Sequence, residues 1–440
     1  MLKIGFVSLG CPKNLLDTEV MLGHLASEGY EITPDETEAD IIVINTCAFI
    51  ESAKKESIDN ILDIAWLKEN ENLKGIIVTG CLAERYRDEV LKEFPEVDAV
   101  LGTGSVHSIV KAVKEIESGK KYSEFLDKNK VDLGGDRIIT TGDAFAYLKI
   151  SEGCNNCCTY CAIPKIRGKF RSRPMEDIIE EAKEIAEIGV KELIVIGQDT
   201  TAYGIDLYGK YELPTLLRRL AEETEISWIR ILYCYPDKIT DELIEEFKTN
   251  KKLVKYIDLP IQHINSRILA KMNRKGDGEL VRSVVKRLRE IEGMSIRSTA
   301  IVGFPGETEE EFLELCEFVK EAKFDNFGAF PYSREEGTPA YNFEDQIDEQ
   351  LKQDRYDIIM NEQLRVIEAL TKNMIGKTIE VLYEGFDPVA ECHFGRTYQN
   401  APDIDGKVFF TSKNKHSIGD FVKVLVEEAE DYDLIGKEIK

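Results

Sequence analysis

The chain opens with three short apolar runs, each ending in a cysteine: Ile4-Gly5-Phe6-Val7-Ser8-Leu9-Gly10-Cys11, Ile41-Ile42-Val43-Ile44-Asn45-Thr46-Cys47 and Ile76-Ile77-Val78-Thr79-Gly80-Cys81. Unbroken runs of this length, rich in β-branched residues, predict strands buried on both faces, as in a parallel sheet. Helical patterning follows each run, over residues 15–27, 52–66 and 84–94. Strand and helix in alternation predict right-handed crossovers, which bring every strand C-terminus to one edge of the sheet. Cys11, Cys47 and Cys81 are then neighbours in space although far apart in sequence, and a shared three-thiolate site is expected above that edge. The alternative is three unrelated buried cysteines, since a free thiol behaves as a small hydrophobe.

Residues 118–143 are polar and carry Gly134, Gly135 and Gly142, the pattern of a linker. The strand–helix rhythm then resumes. Apolar strands are predicted at 144–150, 192–197, 228–233, 256–261, 296–304 and 326–332, with helices at 175–188, 213–224, 241–249, 266–272, 279–292 and 309–323. Such a succession fits a (β/α) barrel, full or partial, whose active site lies at the strand C-termini. Residues 348–372 form a long amphipathic stretch, with Ile358, Ile359, Leu364, Ile367 and Leu370 at helical spacing, and their apolar stripe reads as packing. Beyond 373, β-forming segments at 377–383, 390–394, 407–411 and 421–428 are separated by Gly385, Gly395, Gly406 and Gly419, which predicts a small antiparallel β-barrel. The expected fold class is thus α/β, in the order parallel-sheet domain (1–117), linker (118–143), (β/α) barrel (144–372) and β-barrel (373–440).

Charge narrows the partners. A net charge of −25 over 440 residues argues against general nucleic-acid binding, because a phosphate backbone selects basic surfaces. The last 67 residues, Met374 to Lys440, hold eight Lys and Arg against thirteen Asp and Glu, so the terminal barrel should repel phosphate and attract a basic protein. The N-terminus lacks the charged and long apolar regions of a secretory signal, and no stretch of 18 apolar residues suggests a membrane span. The ten cysteines are therefore expected to sit reduced in the cytoplasm.

Four of those cysteines fall within eight residues, Cys154-Asn155-Asn156-Cys157-Cys158-Thr159-Tyr160-Cys161, directly after the first barrel strand. Cys154, Cys158 and Cys161 make a C-x3-C-x2-C pattern, with Cys157 as a bystander thiol. Thiolates this close point to a soft metal site, and iron–sulfur clusters are held at such spacings. Three ligands on a four-iron cluster leave one iron open. Zinc bound by all four is the alternative, although zinc sites usually join two cysteine arms separated by a longer stretch.

Several strand ends carry ligand-type residues: Gln198 and Asp199 after the second barrel strand, Gln262 and His263 after the fourth, and Gly303, Pro305 and Gly306 after the fifth. Ordinary turn chemistry accounts for any one of these alone. His263 suits lining a pocket or supporting its strand end. Gly102-Thr103-Gly104 lacks phosphate-loop spacing and reads as a turn. The run Lys165-Ile166-Arg167-Gly168-Lys169-Phe170-Arg171-Ser172-Arg173 is basic in an acidic chain, and suits an acidic electron donor, phosphate on a ribonucleoprotein substrate, or a solvated surface.

The C-x3-C-x2-C loop, with an aromatic before its last cysteine, resembles the radical S-adenosylmethionine (SAM) superfamily. The segments SLGCPKN, INTCAFI and VTGCLAERY resemble the N-terminal domain of its methylthiotransferases, and GQD, LPIQH and VGFPGET resemble their SAM-contacting strand ends. The resemblance spans essentially the whole chain. It implies two 4Fe-4S clusters, one on Cys11, Cys47 and Cys81 and one on Cys154, Cys158 and Cys161, the second binding SAM. It further implies SAM contacts from Gln198, Asp199, Gln262, His263, Gly303, Pro305 and Gly306, and a TRAM-like terminal barrel. Pro12 after the first cysteine, and the segments 394–398 and 401–406, are similar to the branch that modifies the β-carbon of an aspartate in small-subunit ribosomal protein S-twelve (uS-twelve), free or in the subunit. An electron donor such as a flavodoxin or ferredoxin is implied as a partner, with tRNA disfavoured. The competing readings are methylthiolation of an adenosine in tRNA and a non-catalytic iron–sulfur carrier.

Overall fold

A computed structural model describes residues 2–439. The chain forms two compact units: Met1–Thr140 with Ser151–Arg173 and Glu335–Tyr341, and Thr141–Ile150 with Pro174–Arg334 and Asn342–Lys440. The cysteine loop that follows the first barrel strand in sequence thus belongs to the same unit as the three N-terminal cysteine strands.

In the first unit, six parallel strands lie in the order β2-β1-β3-β4-β5-β6. They are β1 (Lys3–Ser8), β2 (Glu31–Thr33), β3 (Ile41–Thr46), β4 (Gly75–Gly80), β5 (Ala99–Leu101) and β6 (Tyr122–Glu124). Every residue of β3 and β4 is buried, as their two-faced apolar runs require. Helix α1 (Pro12–Ser27) and a helix over Ile109–Glu117 lie against one apolar cluster, built on Ile4, Val43 and Ile77; Glu51–Asn70 packs into a second, built on Ile42, Ile44 and Val78. Two short helices, Cys81–Tyr86 and Asp88–Glu93, replace the single helix expected over 84–94, and they meet at Arg87, whose φ is +49°. Residues 118–140 of the segment expected as a linker are part of this unit, and 141–143 belong to the second. The 118–140 stretch supplies β6, and its end folds back onto α1, where buried Glu19 accepts from the Thr140 amide at 2.7 Å and pairs with Arg137.

In the second unit, six parallel strands run in reverse sequence order from Asn326–Pro331 through Ser295–Val302, Leu253–Asp258, Trp228–Ile231 and Glu192–Ile196 to Phe145–Lys149. This is an open, partial barrel. Glu349–Lys372 is the long helix; Ile359 and Ile367 are buried on it while Ile358 faces solvent. The C-terminal segment closes into a five-stranded barrel through Thr378–Asp387, Cys392–Arg396, Val408–Thr411, Phe421–Glu430 and a further strand, Asp433–Glu438. Closure needs one parallel pairing, between Val408–Thr411 and Asp433–Glu438, in an otherwise antiparallel barrel. Among the described residues no helix is long and apolar enough to cross a membrane.

Candidate iron–sulfur and SAM sites

The first three cysteines occupy equivalent places. Cys11 occupies the position before α1, after β1, Cys47 follows β3, and Cys81 begins the helix after β4. Gly80 makes the last turn possible. Its φ is +90°, and a Cβ there would lie 2.5 Å from the Thr46 carbonyl oxygen. Cys47 is fixed by Ser57, whose hydroxyl accepts from the Cys47 amide at 3.0 Å and donates to its carbonyl at 2.8 Å. A Cβ on Gly10 would lie 3.1 Å from Cys47 Sγ, so the residue before Cys11 already abuts Cys47.

Asn14 ties the three together. Its Nδ2 donates to the carbonyls of Leu9 and Thr46, both at 2.9 Å, holding the chain just before Cys11 and Cys47. Its Oδ1 faces Cys81 Sγ at 3.6 Å. Arg167 approaches the same sulfur, with Nη2 at 3.7 Å. Burial pushes the Cys81 thiol up to about 12, with the Arg167 charge opposing and the thiols of Cys11 and Cys47 adding to the rise. Burial raises Cys47 too, and Cys11 adds to the rise.

The second set sits in the loop between two short paired segments, Ser151–Glu152 and Arg171–Ser172. The Cys154 amide donates to the Gly168 carbonyl at 3.2 Å, the Cys161 amide to the Cys158 carbonyl at 3.0 Å, and Asn156 Nδ2 lies 3.4 Å from Cys154 Sγ. Burial raises Cys161, and the charges of Cys158, Cys154 and Cys157 add to it. Cys158 is buried; Cys157 is exposed, with φ at +52°. Both sets offer soft thiol donors and fit iron–sulfur chemistry. Among the described residues no group of three His, Cys, Asp or Glu side chains is placed to hold a single metal ion.

The basic run is mostly turned inward. Lys165 and Lys169 are exposed, but Arg167 and Arg173 are buried, and Arg171 Nη1 donates to the Val131 carbonyl at 2.6 Å.

The strand-end residues lie in the second unit. Gln198 is half-buried after Glu192–Ile196. The Asp199 carboxylate accepts from the Ala202 amide at 3.2 Å, capping the turn Thr200–Ala202, and pairs with Lys238 Nζ at 3.0 Å. Gln262, at φ +68°, bridges to the neighbouring strand by accepting from the Ile301 amide and donating to the Thr299 carbonyl, both at 2.8 Å. His263 is fully buried; its Nδ1 accepts from the Asn265 amide at 3.0 Å and its Nε2 lies 3.6 Å from Glu307 Oε1. The other oxygen of Glu307 accepts from the amides of Gly303 and Phe304, and Arg355 lies 3.5 Å away. Glu307 thus holds the Gly303 and Phe304 amides beside the His263 strand end, and the turn continues through Pro305 to Gly306, whose amide donates to the Asp345 carbonyl at 2.8 Å. Asn14, Arg167 and Glu307 were not singled out from sequence. Asn14 and Glu307 stand inside the quoted segments SLGCPKN and VGFPGET, and Arg167 inside the basic run.

Residues 3–102 match the uncharacterized protein family UPF0004, 148–319 the radical SAM superfamily and 375–439 the TRAM domain. Among solved structures, the radical SAM methyltransferase TsrM from Kitasatospora setae, with cobalamin and a 4Fe-4S cluster bound, is similar at a TM-score of 0.58 and 13% identity, over 77% of this chain and 76% of that one. The cobalamin-dependent SAM radical enzyme OxsB matches at 0.52 and 14%, over 84% and 56%. At these identities the likeness shows the fold alone. Closer in sequence, the ribosomal protein uS12 methylthiotransferase RimO of Thermoanaerobacter sp. (strain X514) is 49% identical over 99% of this chain and 100% of its own length. The protein of the same name from Caldanaerobacter subterraneus subsp. tengcongensis is 51% identical over the same shares. Half-identical from end to end to proteins of that name, and matching the UPF0004, radical SAM and TRAM models in turn, the chain belongs to the RimO family of radical SAM methylthiotransferases.

Proposed function

We propose that this chain adds a methylthio group to the β-carbon of an aspartate in ribosomal protein uS12. The observation that supports this reading is that Cys11, Cys47, Cys81, Cys154, Cys158 and Cys161 all fall in one compact unit. The carbon–hydrogen bond to be replaced is unactivated, and no side-chain base removes such a hydrogen at neutral pH. With four-iron clusters bound, Cys154, Cys158 and Cys161 would hold the one that supplies an electron to cleave SAM, and Cys11, Cys47 and Cys81 the one that presents sulfur.

The chain's own residues bind, place and shield. Asn14 and Ser57 set the first thiols. The ribbon of Ser151–Glu152 and Arg171–Ser172 sets the second. Gln198, Gln262 and the turn through Gly303, Pro305 and Gly306 hold SAM; Asp199 and His263 act from behind, one by capping a turn and one by supporting Glu307. The acidic C-terminal barrel draws in a basic protein surface. A flavodoxin or ferredoxin supplies electrons, and the reaction runs in the cytoplasm.

The test is anaerobic reconstitution with iron, sulfide, SAM and reductant, offering free uS12, small ribosomal subunits and tRNA in separate reactions. A methylthio mass gain on one aspartate of uS12 is expected. A gain on tRNA alone would overturn the substrate, and absence of 5′-deoxyadenosine in every reaction would overturn the chemistry.

A further inference from the structure

Arg167 ends the short helix Ile163–Arg167, six residues past Cys161, yet its side chain is directed at the other cysteine set. It is 3% exposed. One arm is held by carboxylates: Nη1 pairs with Asp17 of α1 and lies 3.5 Å from Glu152. The other arm, Nη2, donates to Asn14 Oδ1 and reaches Cys81 Sγ at 3.7 Å. The two carboxylates more than offset the single guanidinium charge, so what it directs at the sulfur is chiefly an N–H donor in fixed position. Asn14 is itself immobilised by the Leu9 and Thr46 carbonyls. Donor and sulfur are thus registered from both sides, in a pocket where water does not compete.

Resting on the reading that Cys11, Cys47 and Cys81 hold a four-iron cluster, we infer that Arg167 is a positioning residue that hydrogen-bonds the Cys81 sulfur and raises the reduction potential of that cluster. A donor to a ligating sulfur draws electron density from the thiolate and favours the reduced cluster, and hydrogen bonds to sulfur are among the factors that set such potentials. Because Arg167 lies at the end of the segment that begins with Cys154–Cys161, the segment carrying one set of thiols also tunes the other.

The test uses the full-length chain with Cys154→Ala, Cys158→Ala and Cys161→Ala, so that only the first site loads. Iron and sulfide content comes first, with about four irons per chain expected; a protein that binds none refutes the underlying reading and not this inference alone. With arginine labelled by nitrogen-15, pulsed electron paramagnetic resonance of the reduced cluster is expected to show coupling to an arginine nitrogen. A loaded, labelled protein without that coupling overturns the inference, and this measurement needs no change at position 167. Arg167→Gln is expected to shift the midpoint potential negative, and Arg167→Lys, which keeps the cation without the fork, to shift it part-way. An unchanged potential in a fully loaded Arg167→Gln protein also overturns it, since a residue serving packing alone leaves the potential where it was.

Discussion

Arg396 Nη2 donates to Glu192 Oε2 at 2.8 Å with both side chains fully buried, joining the C-terminal barrel to the second strand of the central sheet. Arg230 takes the other carboxylate oxygen at 2.6 Å, and Arg396 also reaches Glu384. Removing Arg396 leaves Glu192 Oε2 without its donor while Arg230 still holds Oε1, and a buried acceptor left unsatisfied costs about 1–3 kcal/mol, more when it is charged. Arg396→Ala should therefore loosen the terminal barrel. A chain of this length need not unfold in one step, so the fitting measurement is native-state hydrogen exchange of Cys392–Arg396. The opening free energy of that strand is expected to fall by about 3 kcal/mol. A fall under about 1 kcal/mol would mean the pair contributes little.

The same pair sets an acid limit. Burial alone would raise the Glu192 carboxyl, but Arg230 and Arg396 outweigh it and hold it below the usual range. A depressed carboxyl stabilises the fold above the unfolded value of about 4.3, and that stabilisation is lost as pH falls through the folded value. Glu384 acts in the opposite sense, because burial raises it and its ionisation costs stability as pH rises through the carboxylate range. Trp228 of the central sheet packs edge-on to Phe421 of the barrel at 5.0 Å and can report the junction by fluorescence. With exposed Trp66 replaced by Phe, the Trp228 signal should hold constant near neutral pH and change below about pH 4. The Glu192→Gln protein should lack the part of that change due to Glu192. Identical acid profiles would remove Glu192 as the cause.

Much of this was legible in the chain. Unbroken runs such as Ile41–Ile44 announce strands buried on both faces, and a thiol at the end of each of three such runs announces a gathering at one sheet edge. The three-residue strands Glu31–Thr33, Ala99–Leu101 and Tyr122–Glu124 are too short to show a period, and pairing with a neighbour alone defines them. Arg167 was illegible for another reason. A run of alternating basic residues reads as a surface, and only the fold reveals that Asp17 and Asn14 wait for one of them. Glu307 likewise reads as a helix-start acid until the His263 strand end is seen beside it.

The cysteine loop makes a sharp contrast between adjacent residues. Cys158 is buried, whereas Cys157 is exposed and held at positive φ. Cys158→Ala is expected to lose about four of about eight irons per chain and to abolish 5′-deoxyadenosine formation. Cys157→Ala should keep its iron and most of its activity. Iron analysis and product chromatography on the two proteins decide it, and equal loss in both would show that the ligand set is misassigned.

Asn14→Ala removes a buried donation to the Thr46 carbonyl, a part-buried one to the Leu9 carbonyl and the contact with Cys81 at once. Each unpaired buried group costs about 1–3 kcal/mol, enough to let the Cys11 and Cys47 turns drift apart. The variant is expected to lose the irons of the first site while the Cys154 loop keeps its own. SAM cleavage should survive and methylthiolation of uS12 should fail. Loss of both activities together would place Asn14 in the general stability of the unit.

Glu307 offers a test of the SAM-binding turn that leaves every cysteine untouched. Its carboxylate accepts from two successive amides, Gly303 and Phe304, with Arg355 and His263 beside it. Two amide donors aimed at a carboxylate make charge-assisted bonds, roughly twice as strong as neutral ones. Glu307→Gln keeps the shape but removes the charge, and it turns an NH2 group toward the amides or toward His263 Nε2. The Gly303–Gly306 backbone is then no longer fixed in one conformation, and a ligand that needs it must first order it. Anaerobic equilibrium binding should show SAM affinity lower by about tenfold, or about 1.4 kcal/mol, with iron content unchanged. Unaltered SAM affinity in a fully loaded Glu307→Gln protein would show that this turn does not touch SAM, and would leave Gln198 and Gln262 as the strand-end candidates.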